Sequence, residues 1–368
     1  MSNSTHRVDV VPLNLKKLEG SDFLSVARVY DYECVTQTAQ WEGRQLAAYV
    51  PPDTLVNTTR PEFAFLAPQA KSDGWYRIKA KKIRGVRSFG LLVPVPEGVA
   101  EGDDVAEQLG VVHYDPDIHA SRNGKNGIVP GEATSGPNLF VPKYDVEAGR
   151  KYASRAFAVG EPVVVLEKLH GQNCRCVYTN GQQYVGSRSE WKREFPSYDH
   201  ITVDYLLGQS TEMTRERAET IVAANAKKGK KRSVVWEAFA NTPAIRDFCE
   251  ANPDYILFGE VYGQVQDLKY QGGINFAGFD IMHNGRWLDW DESQRLRRVF
   301  DIPWVPILGE AVPFDFDTIS AMAEGQSLVP GANNVREGVV VKSRVEREVP
   351  RVGRACFKFV GCGYLERS

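Results

Sequence analysis

The stretch Val163-Val-Val-Leu-Glu-Lys-Leu-His-Gly-Gln-Asn173 places charged and polar residues directly after an apolar run. The run Val163–Leu166 is typical of a buried strand. Lys168 would lie at the end of that strand, and Gly171 permits a tight turn or the close approach of a ligand. A lysine held beside bound cations or in a dry pocket can lose its proton and become a nucleophile. A surface lysine before a turn explains the stretch equally well, so the rest of the sequence has to decide.

Other charged residues interrupt apolar strands later in the chain. In Ile256-Leu-Phe-Gly-Glu-Val-Tyr-Gly263, Glu260 stands within a run of strand-forming residues. Charged side chains on apolar strands need partners, because an unpaired buried charge is costly. Lysines and an arginine together with two glutamates are suited to a polyanion and a divalent metal ion. The further segments of this kind are Val185–Arg188, Ile274–Ile281, Arg336–Lys342 and Cys356–Val360.

This ordered set resembles the covalent nucleotidyltransferases, the superfamily of ATP-dependent nucleic-acid ligases and capping enzymes. Each motif alone is short, and the order of the motifs over roughly residues 140–365 makes the resemblance specific. The matching positions are Lys168 in motif I, Arg188 in motif Ia, Glu260 in motif III, Phe279 in motif IIIa, Glu337 and Lys342 in motif IV, and Lys358 in motif V. Motif V departs from the family, because Val360 stands where a second lysine is common; a nearby arginine such as Arg354 could replace its phosphate contact.

Three features point to one branch of that superfamily. His170 occupies a position where DNA ligases and capping enzymes usually carry Asp, and the His form is similar to RNA ligases that seal nicks in duplex RNA. The chain ends at Ser368, which leaves no room for the OB domain that DNA ligases and capping enzymes carry after motif V. The extra β-domain instead precedes the catalytic segment. The chain therefore resembles the Deinococcus-type RNA ligases, which have an N-terminal OB domain.

The resemblance implies three chemical steps. Lys168 attacks the α-phosphate of ATP, the AMP passes to a 5′-phosphate on RNA, and a 3′-OH then displaces the AMP. The implied cofactors are ATP, whose AMP is held covalently on Lys168, and Mg²⁺ or Mn²⁺. Cationic neighbours should lower the pKa of Lys168 so that its amine is neutral. The implied site residues are Glu260 and Glu337 for the metal ion, Glu167, Arg188, Glu260, Phe279, Lys342 and Lys358 for the nucleotide, and His170 and Asn173 for the nick phosphate.

The residues before the catalytic segment predict a separate domain. Short strands divided by Gly, Pro and Asp are typical of a small β-barrel or sandwich. They are expected at Phe23–Tyr30, Glu33–Thr36, Leu46–Tyr49, Tyr76–Ile83 and Phe89–Val93. The predicted fold class is α+β: an OB-type β-barrel with a linker over residues 1–140, and an ATP-grasp-like ligase domain of antiparallel sheets flanked by helices over residues 141–368. In that second domain, Asn180-Gly181 predicts a hairpin turn and Met213–Ala226 an amphipathic helix begun by Thr211 or Thr214.

The charge distribution indicates how RNA would be bound. The formal net charge is −2, so a nucleic-acid partner needs a local basic surface. If Tyr76–Ile83 is one strand, alternation places Arg77, Lys79 and Lys81 on one face. Lys79, Lys81 and Arg84 are therefore predicted to bind phosphates of a nicked RNA duplex with 5′-phosphate and 3′-OH ends. The cluster Lys227–Arg232 is expected to be a solvated helix end, although it could also contact RNA.

Several other classes of protein remain as alternatives or are excluded. A DNA ligase, a capping-type nucleotidyltransferase and a non-catalytic OB-type RNA-binding protein are the rivals. A zinc site at Cys174-Arg-Cys176 has the wrong spacing for a finger or ribbon, and small core residues on a strand explain these cysteines better. No apolar run reaches the length of a membrane span, and the first ten residues lack the apolar centre of a signal peptide. An intracellular, cytoplasmic protein without an obligate protein partner is therefore expected.

Overall fold

The computed structural model describes residues 7–114, 131–199, 201–209, 213–266, 268–350 and 352–365. The chain divides into two compact units, residues 1–119 and 120–368. This division falls before the predicted boundary at 140, and Ala133–Thr134 already pairs with Trp191–Lys192 of the second unit. Residues 115–130, within the predicted linker, lie outside the described residues. No helix in the described part of the chain is long and apolar enough to cross a membrane.

The first unit consists of short antiparallel strands around an apolar core. Val10, Val50, Val56 and Phe63 are buried at its centre. The pairings join β1, β5 and β10, then β2, β3 and β4, then β6, β7 and β11, and finally β8 and β9. The strands are β1 (Asp9–Pro12), β2 (Leu15–Lys17), β3 (Leu24–Val29), β4 (Tyr32–Gln37), β5 (Leu46–Val50), β6 (Thr54–Asn57), β7 (Trp75–Arg77), β8 (Lys81–Ile83), β9 (Val86–Ser88), β10 (Leu91–Val93) and β11 (Val112–His113). Two 3₁₀ helices lie at Thr38–Trp41 and Pro61–Gln69.

The predicted strand Tyr76–Ile83 is wrong as a single element. The chain leaves β7 after Arg77, and β8 pairs with β9 as a separate hairpin. Arg84 and Gly85 form the turn of that hairpin with positive φ angles of 47° and 85°. The simple alternation that placed Arg77, Lys79 and Lys81 on one strand face therefore does not apply, because these residues do not share a strand.

The second unit is built on two β-sheets. The seven-stranded sheet has the order β12-β17-β16-β15-β18-β19-β20, and the five-stranded sheet has the order β13-β25-β22-β14-β21. Every pairing in these sheets is antiparallel except that of β13 with β25. The strands are β12 (Ala133–Thr134), β13 (Glu147–Ala148), β14 (Pro162–Lys168), β15 (Gln172–Thr179), β16 (Gln182–Gly186), β17 (Trp191–Lys192), β18 (Ile256–Gly263), β19 (Ile274–His283), β20 (Arg286–Trp287), β21 (Ile307–Pro313), β22 (Gly338–Ser343), β23 (Glu348–Val349), β24 (Gly353–Arg354) and β25 (Cys356–Val360).

Helices pack against these sheets, which gives the predicted α+β arrangement. One core lies between the seven-stranded sheet and α4, α5 and α6, and another lies between the five-stranded sheet and α1 and α7. Thr214 caps α3 by accepting a hydrogen bond from the backbone N–H of Arg217, so this helix begins at one of its two predicted caps. The helices are α1 (Gly149–Ala156), α2 (Val203–Gln209), α3 (Arg215–Lys228), α4 (Val234–Asn241), α5 (Pro243–Ala251), α6 (Trp290–Phe300), α7 (Phe316–Met322) and α8 (Cys362–Leu365).

The hairpin β15–β16 gives the seven-stranded sheet two different faces. Its turn is Asn180-Gly181, as predicted, and both residues have positive φ angles. Cys174 and Cys176 are fully buried on the face that packs against helices, which confirms them as core residues. The opposite face carries Val177 and Phe258 in a second apolar cluster, and the candidate site lies at the edge of this face.

Candidate active site

A cavity of about 210 Å³ is lined by residues from both sheets of the second unit. Strand β14 contributes Leu166, Glu167 and Lys168 from the five-stranded sheet, and β18 contributes Glu260 from the seven-stranded sheet. The structure thus brings together most of the residues that the sequence singled out. The predicted residues that line the cavity are Glu167, Lys168, Asn173, Arg188, Glu260, Phe279, Lys342 and Lys358.

Lys168 is held in an ion pair at the end of β14. Its Nζ lies 2.5 Å from Oε1 of Glu337, which directly precedes the neighbouring strand β22. Burial lowers the pKa of Lys168, but the negative charges of Glu337 and Glu260 outweigh it and raise the pKa above the ordinary value. The expectation that cationic neighbours lower the pKa of Lys168 stays a prediction for the enzyme with bound metal, because carboxylates surround the ammonium group in the described structure.

The pKa values of the two glutamates that face Lys168 are shifted in opposite directions. Burial raises the pKa of Glu260 to about 8; the charge of Lys168 acts to lower this pKa, and the charge of Glu337 acts to raise it. Burial also acts to raise the pKa of Glu337, but the ammonium of Lys168 and a hydrogen bond from His170 bring it below the ordinary value. The surroundings therefore stabilise the carboxylate of Glu337 and disfavour the charged form of Glu260. The pKa values of two acids in one small site separate in this way when both acids cannot be charged at once.

His170 is joined to this cluster from the side. It is not among the residues that line the cavity, but its Nδ1 lies 3.4 Å from Oε2 of Glu337. The same Nδ1 lies 2.9 Å from the hydroxyl oxygen of Tyr364 in α8. Tyr364 was not predicted, because no motif marks it and it lies 194 residues from its partner. Gly171 allows its backbone to lie close to that of Val261, since a Cβ at this position would lie 2.2 Å from the carbonyl oxygen of Val261.

The carboxylate of Glu167 is engaged by protein groups. Its Oε1 accepts a hydrogen bond of 2.5 Å from the hydroxyl of Ser327, and its Oε2 accepts one of 2.7 Å from the backbone N–H of Leu328. Only 1% of Glu167 is exposed. The sequence assigned this residue to the adenine edge, whereas its carboxylate holds the turn at Ser327 in the described structure.

Lys342 belongs to a buried network of charges. Its ammonium group contacts the carboxylate of Asp280, and both side chains are almost completely buried. Glu346 lies 3.4 Å from the Lys342 ammonium, and Arg354 lies 3.0 Å from the second oxygen of Asp280. The hydroxyl of Tyr144 donates a hydrogen bond of 2.6 Å to that same oxygen. Lys342 lines the cavity, as predicted for a nucleotide-binding residue, but its charge is paired with Asp280.

An apolar wall and several cations complete the cavity. Leu166, Val305, Val340 and Phe279 provide apolar surface, and the Phe279 ring packs against Tyr144 with centroids 4.5 Å apart. The cations on the lining are Lys168, Arg188, Lys342 and Lys358, and Arg188 lies 2.5 Å from Asp145. Asn173 lines the cavity opposite Glu260 in the β15–β18 register, and its buried Oδ1 lacks a hydrogen-bond partner in the described structure.

The carboxylates offer a partial site for a divalent cation. Among the described residues, no group of three or more His, Cys, Asp or Glu side chains is arranged to hold a metal ion. Glu260 and Glu337 supply two carboxylates beside a cationic cavity. This donor set fits Mg²⁺ or Mn²⁺, which commonly bind through one or two carboxylates together with water and substrate phosphates. It does not fit the closed thiolate site of structural zinc.

The predicted RNA-binding residues lie in the first unit and are described by themselves. Lys79 and Lys81 line a cavity of about 540 Å³ together with apolar residues such as Phe65. Lys81 donates a hydrogen bond of 2.7 Å to Gln69, and the guanidinium of Arg84 donates one of 2.9 Å to the carbonyl of Gly20. All three cations thus belong to one β-unit, although they do not form the single strand stripe that was predicted.

Comparisons with known proteins agree with this architecture. A family model described as RNA ligase matches residues 161–360, and an OB-fold domain model matches residues 8–95. The Naegleria gruberi RNA ligase with PPi is 22% identical, with a TM-score of 0.73 and 98% coverage of both chains. A mutant of that ligase with ATP and Mn has a TM-score of 0.74 at the same identity and coverage. No curated protein is significantly similar in sequence. These matches confirm the fold: an N-terminal OB-type domain followed by a ligase domain of antiparallel sheets and helices.

Proposed function

The chain belongs to the RNA ligase family, and we propose that it is an ATP-dependent enzyme that seals nicks in duplex RNA through AMP bound to Lys168. The observation that carries the proposal is the position of Lys168. It ends a buried strand and lines a cavity together with an apolar wall, three further cations and Glu260, and its ammonium group is paired with Glu337. An amine, a purine-sized apolar surface and phosphate-binding charges are the groups that lysine adenylation requires.

The first step joins AMP to the lysine. The amine nitrogen of Lys168 forms a bond to the α-phosphorus of ATP, the bond to pyrophosphate breaks, and the amine gives up a proton to solvent. Lys168 starts as an ammonium ion paired with Glu337, so it must first lose that partner. A divalent cation held by Glu337 and Glu260 would supply positive charge at the phosphates. Both carboxylates would then no longer raise the pKa of Lys168, and the amine could become neutral.

The remaining cavity residues bind and orient the nucleotide. Phe279 offers a flat apolar ring to the purine, and the aliphatic side chains of the wall supply further apolar surface. Lys358 and Arg188 carry charge to the phosphates and the ribose. For Lys342 we propose an indirect role, because its ammonium is paired with Asp280 and fixes the strand that follows Glu337.

The later steps involve RNA. AMP passes from Lys168 to the 5′-phosphate, and the 3′-OH then attacks that phosphate and releases AMP. We assign Asn173 and His170 to the phosphate at the nick. Asn173 supports this because it lines the cavity and its side-chain amide N–H can donate to a phosphate oxygen, and His170 supports it through its contact with Glu337. Lys79, Lys81 and Arg84 would bind the RNA backbone from the OB-type unit.

Ligation of matched nicked duplexes tests this function. Duplexes with RNA or DNA at each nick terminus are incubated with ATP or GTP and Mg²⁺, and sealed product is measured. We expect sealing at RNA termini with ATP, and none with GTP. Lys168→Ala should seal only RNA whose 5′-phosphate already carries AMP, because the last step does not use the lysine amine. Sealing of DNA termini alone, use of GTP, or binding of RNA without any sealing would contradict the proposal.

A further inference from the structure

Arg175 is a buried cation that the proposed chemistry does not use. It lies on β15, two residues after Asn173, and strand alternation therefore places both on the same face of the sheet. Only 4% of Arg175 is exposed. The adjacent residues Cys174 and Cys176 point into the helix-packed core on the other face.

This guanidinium has no anionic partner in the described structure. Its carbon Cζ lies 4.5 Å from the centre of the Trp191 ring, and its Nε has no hydrogen-bond partner. Among the three guanidinium nitrogens, Nε is the one that is both shielded from solvent and without a hydrogen-bond partner. The two terminal nitrogens therefore retain access to solvent. Burial lowers the pKa of Arg175 to about 10, which leaves it charged near neutral pH.

The carboxylates on the adjoining segments are already paired with other cations. Lys192, next to Trp191, lies 2.7 Å from Glu190 and 3.6 Å from Glu132. Asp145 lies 2.5 Å from Arg188. A buried charge without a partner is costly, and a ring face supplies no hydrogen-bond acceptor for the terminal N–H groups. The arrangement is that of a cation kept for an external anion.

We propose that Arg175 binds a backbone phosphate of the RNA next to the nick, beside the nucleotide cavity. The inference rests on the proposed function, which supplies the RNA. Arg175 does not line the nucleotide cavity, so the phosphates of ATP are not its ligand. Arg175 of β15 pairs with Gly186 of β16, which lies two residues before Arg188. Asn173 is the neighbour of Arg175 on the same face of the sheet. The planar guanidinium of Arg175 lies over the Trp191 ring and can offer paired N–H groups to the two oxygens of a phosphate.

Two substitutions and a control test the proposal in the full chain. Arg175→Met removes the charge and keeps an unbranched side chain against Trp191, whereas Arg175→Lys keeps the charge without the planar N–H edge. Arg286→Met is the control, because Arg286 is an exposed residue paired with Glu292. Three quantities are measured: lysine labelling by ATP, sealing of nicked RNA that already carries AMP, and the salt dependence of RNA binding.

We expect Arg175→Met to spare lysine labelling while it changes sealing and the salt dependence of RNA binding. Labelling should stay near the wild-type level, while sealing of the AMP-bearing RNA should fall about tenfold or more. The slope of log binding constant against log salt should decrease by about 0.9, because one fewer phosphate is neutralised. Arg175→Lys should recover most of the salt slope but only part of the sealing. The melting temperature of Arg175→Met should rise by about 2 °C or more, because an unpaired buried charge is removed.

Other outcomes would overturn the proposal. Wild-type sealing and salt slope in Arg175→Met, or a protein that melts lower or does not fold, would show that Arg175 is a structural residue of the Trp191 contact. Loss of labelling together with sealing would place it in the nucleotide site instead. A failure of the proposed function is separate, because the wild-type protein itself would then not be labelled.

Discussion

Glu260 and Glu337 determine the charge state of Lys168. The sequence predicted which residues form this part of the site but not how they pair. The motif order identified the lysine and both acids. It did not reveal that Glu337 pairs with Lys168 across 169 residues, or that this contact raises the lysine pKa. Such shifts depend on burial and distance, which a sequence without a fold does not specify. The same reason explains why the Tyr364 contact with His170 was missed.

The pKa of Glu260 predicts how stability depends on pH in the metal-free protein. Its pKa is near 4.5 when the chain is unfolded and about 8 when it is folded, because burial opposes the charged form. Between these values the folded state holds a proton that the unfolded state has lost, so stability falls as pH rises through this window. Above about pH 8 the full penalty is present.

Glu260→Gln should remove that pH dependence, since the amide resembles the protonated acid. In thermal melts with EDTA, we expect the variant to match the wild type at pH 5. It should be more stable by on the order of 2 kcal/mol at pH 8, a figure reduced for partial solvent screening. Glu348→Gln, at an exposed strand residue, is the control. Parallel pH profiles for the wild type and Glu260→Gln would contradict the protonation assigned to Glu260.

At the scale of elements, the second unit was predicted more accurately than the first. The β15–β16 hairpin and helix α3 agree with the sequence because an Asn-Gly turn and a threonine cap are local signals. The break between β7 and β8 was missed, because no Gly, Pro, Asn or Asp marks residues 78–80 and only tertiary pairing ends the strand. The strand β22 was found, but the burial of Lys342 against Asp280 depends on the neighbouring sheet and could not be read from it.

Lys342 of β22 and Lys358 of β25 should contribute differently to stability and to lysine labelling. Lys342→Met breaks a buried ion pair and should lower the free energy of unfolding by about 2–3 kcal/mol, since Arg354 still pairs with Asp280. Lys358→Met should change stability less and reduce lysine labelling by about 100-fold or more, because it removes a phosphate-binding charge. Urea unfolding and labelling are measured on both variants. Equal destabilisation, or labelling that survives Lys358→Met, would contradict these roles.

At the scale of the whole molecule, we propose that the second unit performs the chemistry and contacts the nick, and that the first unit adds binding to the RNA backbone. The proposed nucleotide residues all lie in the second unit, and the proposed basic RNA contacts Lys79, Lys81 and Arg84 lie in the first. The short strands predicted a small β-domain before the ligase unit, the resemblance to RNA ligases implied that it is of OB type, and the family matches confirm this order. The division at 119 was harder to locate, because the segment around Ala133 pairs with the second unit through a strand of only two residues.

Replacing the three basic residues of the first unit by alanine should affect RNA and spare the nucleotide. We expect Lys79/Lys81/Arg84→Ala to weaken binding of nicked RNA and to lower the salt slope by about 2–3, while lysine labelling remains near normal. The matched control is Lys16/Lys17/Arg28→Ala, which removes three exposed cations of the same unit. If the control weakens RNA binding as much as the test variant does, the binding is not specific to the proposed surface.

The central claim is that Lys168 becomes covalently linked to AMP, and intact-mass spectrometry tests it most directly. The purified protein is incubated with ATP and Mg²⁺, its mass is measured, and the modified peptide is sequenced. We predict a gain of one AMP on Lys168, reversed by pyrophosphate and absent in Lys168→Ala, whereas Lys17→Ala at an exposed lysine behaves as the wild type does. An unchanged mass in a folded protein that binds ATP, or AMP located on a different residue, would contradict the account.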